Sequence, residues 1–421
     1  MQIVAVVVFV VAMVAIMSEK VHRALVAIVG AMILLIVHVV TFDQAMSHVD
    51  FNTLGVLLGM MLFVAVVKLS GIFEYLAIKC ARLAKGNPWH VMVLFVCLTA
   101  VLSALLDNVT TVLLIGPMTI TVCRLLDIDA VPFFLAEIMA SNIGGTATLI
   151  GDPPNIMIGS AAGYSFVDFV VYDTPAALLS LAVMLALFYL LFGRKLHVDD
   201  AHKDALAGLD EREQIKNPIL LRQSVVMIVL VVVGFMAHGS LGVESCVVAL
   251  TAAGILMLIS GERIEEALAH VEWTTLVFFA GLFIIVGALS EVGVIGMLAQ
   301  ALIDVTGGST FVAMLVLLFA SAIISSFLDN IPFVATMIPI LLSMEATGMD
   351  VMPLWWAVSL GACLGGNGTL IGASANVVMS DISRKNGHVI TFAHFFKVGF
   401  PTMLATVAVS AIYLIVRFPP M

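Results

Sequence analysis

Leu106-Asp107-Asn108-Val109-Thr110-Thr111-Val112, running on to Pro117, is restated 222 residues later as Leu328-Asp329-Asn330-Ile331-Pro332-Phe333-Val334, running on to Pro339. Both stretches put an Asp-Asn pair inside apolar sequence. Downstream of the first, Gly145-Thr146-Ala147-Thr148-Leu149-Ile150-Gly151 closes at Asn155. It returns as Gly366-Asn367-Gly368-Thr369-Leu370-Ile371-Gly372, closing at Asn376, at an offset of 221. Upstream, His48-Val49-Asp50-Phe51 is echoed by His270-Val271-Glu272-Trp273, again at 222. Three landmarks at nearly one spacing make a duplicated unit. Duplicated apolar units with polar interruptions are the build of secondary transporters.

The bulk properties agree. The chain is 62% hydrophobic and 11% charged, whereas a soluble domain carries about 25% charged residues. Apolar runs recur from end to end at close to the roughly 20 residues needed to cross a bilayer. Residues 1–17 lack a basic flank and a small-residue cleavage site, so they read as a retained first helix rather than a signal peptide. The five cysteines (Cys80, Cys97, Cys123, Cys246 and Cys363) are scattered without a C-x-x-C pair. They indicate neither a disulfide framework nor a soft-metal site. The net charge of −10 carries little information, because most charge outside the membrane falls in one loop.

Apolar segments divide the chain into a first repeat over 1–193, a mixed-charge linker over 194–218 and a second repeat over 219–421. Each repeat holds one segment that doubles back (about 90–123 and 310–343) and one that is interrupted (about 132–162 and 353–379). Basic residues in short loops mark the cytoplasmic side. With the linker on that side, 17 of the 18 Lys and Arg residues, Arg23 among them, are cytoplasmic and Arg417 alone is not. This assignment makes the repeats inverted, with five crossings and one re-entrant hairpin each. The expected fold is therefore an all-α polytopic membrane protein whose broken helices meet at the bilayer midplane. Trp355 and Trp356, following Pro353, fit interfacial anchors, and 71–88 fits an amphipathic helix on the inner surface.

Non-helical backbone at membrane depth is tolerated only where protein or a watery cavity satisfies it. Ser141-Asn142-Ile143-Gly144-Gly145-Thr146-Ala147-Thr148 followed by Gly151-Asp152-Pro153-Pro154 cannot continue as one helix, since two prolines remove amide donors. Gly365, Gly366, Gly368 and Gly372 loosen the second copy. A packing kink explains one such segment; two at matched positions point to exposed half-helix ends that bind ions or polar solutes. Asp107 and Asp329 are the sharpest single residues, because a central Asp costs roughly 2.5–3.5 kcal/mol on insertion scales. They are expected to bind a proton or coupling ion, and they also fit helix N-caps beside Asn108 and Asn330. Asp152, whose mate is Ala373, and Glu137 are each placed either to relay a proton or to pair with a backbone or hydroxyl group. Neutral hydrogen-bonding groups for a solute come from Asn108, Thr110, Thr111, Asn142, Gly145, Thr146, Thr148 and Asn155 in the first repeat. Asn330, Gly366, Asn367, Thr369, Ser374 and Asn376 supply them in the second. Thr inside a helix often bonds its own backbone, so these count as a set.

With those motifs quoted, the chain resembles the ion transporter superfamily, in the branch of ArsB-type arsenical efflux permeases, NhaD-type sodium–proton antiporters and the P protein. Leu106 to Thr111, and Asn142 through Thr148 to Asn155, look much like that branch's paired signatures. The resemblance implies two hairpins and two unwound helices meeting at mid-membrane, elevator-type alternating access and a homodimer. Dicarboxylate carriers of the superfamily place Ser-Asn-Thr where Asp107-Asn108-Val109 and Asp329-Asn330-Ile331 stand here. Carboxylates at both tips work against an anion and favour a proton, a sodium ion or a neutral solute. Arsenite, largely an uncharged trihydroxide at neutral pH, suits Asn, Thr and backbone amides.

The expectation is a transporter of the inner membrane exporting arsenite or antimonite in exchange for protons. Sodium–proton antiport, an anion channel or organic-anion carrier, and a subunit driven by a separate ATPase are the rivals. No phosphate-binding Gly-Lys-Ser/Thr loop, zinc spacing or nucleophile–base pair is present in the sequence. No metal, cofactor, nucleic acid or enzymatic reaction is therefore expected; the partners are a small inorganic solute, the coupling ion and membrane lipid.

Overall fold

In this computed structural model, residues 1–18, 20–198, 206, 208 and 210–420 are described. Part of the expected linker, including Asp199, Asp200, Lys203 and Asp204, lies outside the described residues. Twenty α-helices and no strand occur among the described residues. The first ten are α1 (Gln2–Met17), α2 (Arg23–Ile36), α3 (Phe42–Ser47), α4 (Phe51–Lys68), α5 (Ile72–Leu83), α6 (Pro88–Leu105), α7 (Asn108–Leu126), α8 (Val131–Thr146), α9 (Pro153–Ala162) and α10 (Phe166–Phe188). The second ten match them in order: α11 (Pro218–Leu241), α12 (Ser245–Ser260), α13 (Ile264–Leu268), α14 (Trp273–Glu291), α15 (Val294–Val305), α16 (Thr310–Phe327), α17 (Asn330–Ala346), α18 (Met352–Gly365), α19 (Ser374–Lys385) and α20 (Phe392–Arg417).

Among the described residues, eight helices are long and apolar enough to cross a membrane: α4, α6, α7, α10 with its following turn, α11, α14, α16 and α20. Eighteen residues at 1.5 Å each span about 27 Å, close to the hydrocarbon thickness. The polytopic membrane class read from composition is borne out. Helix starts follow local chemistry. Asn87 and Asn217 cap α6 and α11 with Pro at the first helical position, and Ser165 with Asp168 forms a capping box for α10.

Packing repeats with the halves exchanged. The α2 helix lies on α14 as α12 lies on α4, and α7 meets α19 as α17 meets α9. Within each half, α6 runs along α8 and α16 along α18. Small residues allow that closeness: a Cβ on Gly144 would sit 2.2 Å from the Ala100 carbonyl oxygen, and one on Gly365 2.6 Å from that of Ala322. Hydroxyls join the same pairs, Ser103 donating to Ser141 O at 2.6 Å and Ser325 to Ala362 O at 2.7 Å.

Three features differ from expectation or add to it. Trp355 and Trp356 are not surface anchors but buried, because α18 is enclosed by α8, α16, α17 and α20. Trp356 stacks between Tyr164 and Tyr172, each 4.7 Å away. The stretch 291–308 contains α15, the amphipathic counterpart of α5. Finally, the described linker residues 210–216 dock on α5. Lys216 N donates to Ser70 O, Arg82 pairs with Glu211 and Lys216 with Glu74. Gly71, at φ +81°, leaves room for the Gln214 carbonyl, which a Cβ would meet at 2.0 Å.

Candidate functional site

Two breaks and two hairpin tips build the site. The first break separates α8 from α9, where Pro153 and Pro154 start a new helix after Asp152. Its loose carbonyls are gathered by one side chain: Asn155 Nδ2 donates to the carbonyls of Gly145, Thr146 and Thr148 at 3.3, 3.1 and 2.9 Å. Asn376 does the same in the second break, reaching Gly366 O at 2.7 Å and Thr369 O at 2.9 Å. The amide thus replaces the hydrogen bonds that a continuous helix would have made, as a water-poor interior requires. Thr148 and Thr369 donate to the carbonyls of Ala104 and Ser326, pinning each hairpin to its broken helix.

Both tip aspartates are N-caps, and both do more. Asp107 Oδ1 accepts from Thr110 N at 2.8 Å, and its Oδ2 accepts from Thr110 Oγ1 at 2.5 Å. Asp329 Oδ1 accepts from Ile331 N at 3.1 Å, while its Oδ2 pairs with Arg23 at 3.0 Å and accepts from Ser374 Oγ at 3.1 Å. Arg23 also reaches Ser374 Oγ at 2.8 Å and lies over the Phe278 ring. Between the tips lies a small cavity of about 30 Å³ whose walls include Arg23, Asp107, Asn108, Asp152, Glu272 and Asn330. Beside it a cleft of about 300 Å³ reaches Arg23, Asp329 and Ser374 from the α1–α2 loop. Four carboxylates, counting Asp329, face one guanidinium. Were all ionised, three negative charges would be in excess.

Behind the cavity the asparagines interlock. Asn108 Nδ2 donates to Asn142 Oδ1 at 3.3 Å, and Asn142 Nδ2 donates to Asn367 Oδ1 and Asn376 Oδ1 at 2.9 and 3.0 Å. Asn330 Nδ2 donates to Asp152 Oδ2 at 3.0 Å. The structure therefore gathers Asp107, Asp152, Asp329, Asn108, Asn142, Asn330, Asn367, Ser374 and Asn376 around and behind the cavity and its neighbouring cleft, in several separate hydrogen-bonded sets. Other candidates are engaged elsewhere. Thr146 bonds the Asn142 carbonyl within its own helix, and Thr110 serves the cap. The Thr111 hydroxyl is buried with no hydrogen-bond partner among the described residues. Gly145 admits the Gly151 carbonyl across the break and Gly366 admits Ala373. Glu137 lies apart, between α7 and α8, where Thr119 donates to it at 2.6 Å.

Sequence reasoning missed Arg23 and Glu272 as site residues. Arg23 was counted among loop charges, and Glu272 appeared only as the echo of Asp50. The echo was the available signal, since a carboxylate repeated at the 222 offset marks a helix start in both halves.

The comparisons with known proteins agree with this architecture. A family model described as citrate transporter matches residues 13–361. An uncharacterized transporter of Mycobacterium tuberculosis is 45% identical, covering 99% of both chains. The P protein of Homo sapiens is 34% identical over 95% of this chain, which spans 58% of that protein's length. Among solved structures, the YdaH transporter of Alcanivorax borkumensis has the same fold, with a TM-score of 0.62 at 15% identity over 90% of this chain and 88% of that one.

Proposed function

This chain belongs to the citrate transporter family, within the ion transporter superfamily, and from that premise we propose a proton-coupled secondary transporter that exports arsenite or antimonite by alternating access. The observation that carries the reading is the surplus of carboxylates around the cavity between the tips. With those carboxylates ionised, a free tricarboxylate entering it would meet three uncompensated negative charges. An uncharged trihydroxide meets no such repulsion and finds amide and carbonyl partners. Its hydroxyls are suited to the interlocked asparagines once the tips separate. Under the inverted topology the linker is cytoplasmic and the cleft beside Arg23 opens inward, toward the side bearing Lys20. Protons taken up by the tip and break carboxylates from outside would neutralise the site for its inward passage. Loss of those protons inside would allow the solute to bind.

A second reading, sodium–proton antiport, is favoured by the small volume and by carboxylates from separate elements, a set suited to a hard cation. One reconstituted preparation tests both. Arsenite, citrate and sodium are offered in turn to proteoliposomes under an imposed pH gradient. Arsenite movement driven by the gradient, and abolished in Asp107→Asn and Asp329→Asn, is the expected result. Sodium-dependent proton release without arsenite movement transfers the conclusion to the antiporter. Citrate uptake that survives both substitutions removes the electrostatic argument altogether.

A further inference from the structure

The α10 helix carries a carboxyl that the cavity does not use. Asp173 is fully buried; its Oδ2 accepts from Ser359 Oγ of α18 at 2.5 Å, and its Oδ1 has no partner. The same Ser359 Oγ stands 2.8 Å from Asn155 Oδ1. A serine hydroxyl has one proton to donate, and an ionised carboxylate and an amide oxygen both only accept. Ser359 therefore cannot satisfy both neighbours while Asp173 is ionised. If Asp173 takes up a proton, its own hydroxyl donates to Ser359 Oγ and the serine proton turns to Asn155. Every contact is then complementary. Asn155 is the residue that gathers the loose carbonyls of the first break, and Thr174, next to Asp173, donates to the Ala147 carbonyl in that break at 2.6 Å.

We propose that Asp173 is a proton-binding site wired through Ser359 and Asn155 to the unwound segment 147–152. One proton from water adds to a carboxylate oxygen, one hydroxyl reorients, and no other bond forms or breaks. The charged and titratable groups around Asp173 do not provide a counter-ion. From α20, Tyr413 faces it, and Arg417 is held over the Tyr172 ring at 4.8 Å. From α18 comes the Cys363 thiol, which also faces Asp152 and lies 3.6 Å from Asn155 Oδ1. From α11, His238 is engaged with Phe166 N and Val243 O; from α8, Glu137 is bonded to Thr119. Beyond α10, Arg194 lies over Tyr189. A buried acid without a cation, in a helix of a membrane protein, is a proton carrier in preference to a structural ion.

The proton-binding claim stands apart from transport; its effect on turnover rests on the function proposed above. Infrared difference spectra of the full chain in nanodiscs, recorded against pH without solute, should contain a carboxylic C=O band that disappears in Asp173→Asn. Asparagine can donate to Ser359, so this variant should fold and mimic the protonated state. Hydrogen exchange of the 145–155 peptide, corrected for the intrinsic pH dependence of exchange, should follow the same titration in the native protein, by about tenfold as for typical coupled sites. It should be flat in Asp173→Asn. Ser359→Ala should keep the infrared band but lose the linked change in exchange. Absence of a band assignable to Asp173 overturns the proposal, and so does pH-linked exchange that persists in Ser359→Ala. A titrating Asp173 in a protein that moves no solute with protons refutes the transport reading and leaves this one standing.

Discussion

Gly144→Ala places a close helix–helix backbone contact under test. The added Cβ would lie 2.2 Å from the Ala100 carbonyl oxygen, 2.6 Å from its Cα and 2.8 Å from its carbonyl carbon. All three are backbone atoms, so no side chain can turn aside, and α6 and α8 must move apart by more than an ångström. That displacement strains the Ser103–Ser141 bond in the same interface. Overpacking of this kind costs typically 1–3 kcal/mol, and one weakened hydrogen bond adds about 1 kcal/mol. Greater helix propensity returns up to about 1 kcal/mol, leaving a net loss of about 1–3 kcal/mol. Gly254→Ala is the matched control: it also lies in a helix, but its Cβ meets nothing within 4 Å. It should be neutral or slightly stabilising. Thermal unfolding of the detergent-purified proteins by intrinsic fluorescence should separate the two by several degrees. Gly361→Ala and Gly365→Ala, with closest contacts of 2.5 and 2.6 Å, should fall between them. A Gly144→Ala protein as heat-stable as Gly254→Ala refutes the close-approach argument.

Arg23→Gln removes the one guanidinium at the cavity, so the excess of negative charge rises and cations should bind more tightly, by about tenfold for a coupling of 1–2 kcal/mol. Sodium titration of the purified protein by calorimetry reads this directly; an unchanged isotherm removes Arg23 from the site. At the linker, Glu211 is held below the ordinary glutamate range first by its own backbone amide and then by Arg82. A depressed folded value stabilises the docked state at neutral pH and loses that contribution as pH falls through it. Hydrogen exchange over 210–216 should therefore rise on acidification, and Arg82→Ala should raise it already at neutral pH. Trp356→Ala, which empties the Tyr164–Tyr172 stack, should cost about 3–5 kcal/mol, measured as a lowered melting temperature.

Much of the site was legible because duplication doubles every signal. The offset of 221–222 identified the tip aspartates, the two breaks and their closing asparagines before any contact was known. The 222 offset does not mark Asp173, because Phe395 stands at the matching position, and only the packing of α10, which begins at Phe166, reveals its burial. Trp355 and Trp356 were misplaced because an aromatic pair after a proline has the same local pattern at a lipid boundary as inside a bundle.

Composition and periodic apolar runs determined by themselves that this chain is a helical membrane protein in two related halves, since burying backbone in lipid leaves few alternatives. Proline and glycine positions likewise determined where helices stop. Which groups meet across the halves was decided only by tertiary packing. Arg23 and Asp329 are 306 positions apart, and Ser359 and Asp173 are 186 apart. Hydrogen bonds and charge pairs act over a few ångströms of space, and no local pattern along a chain encodes that proximity.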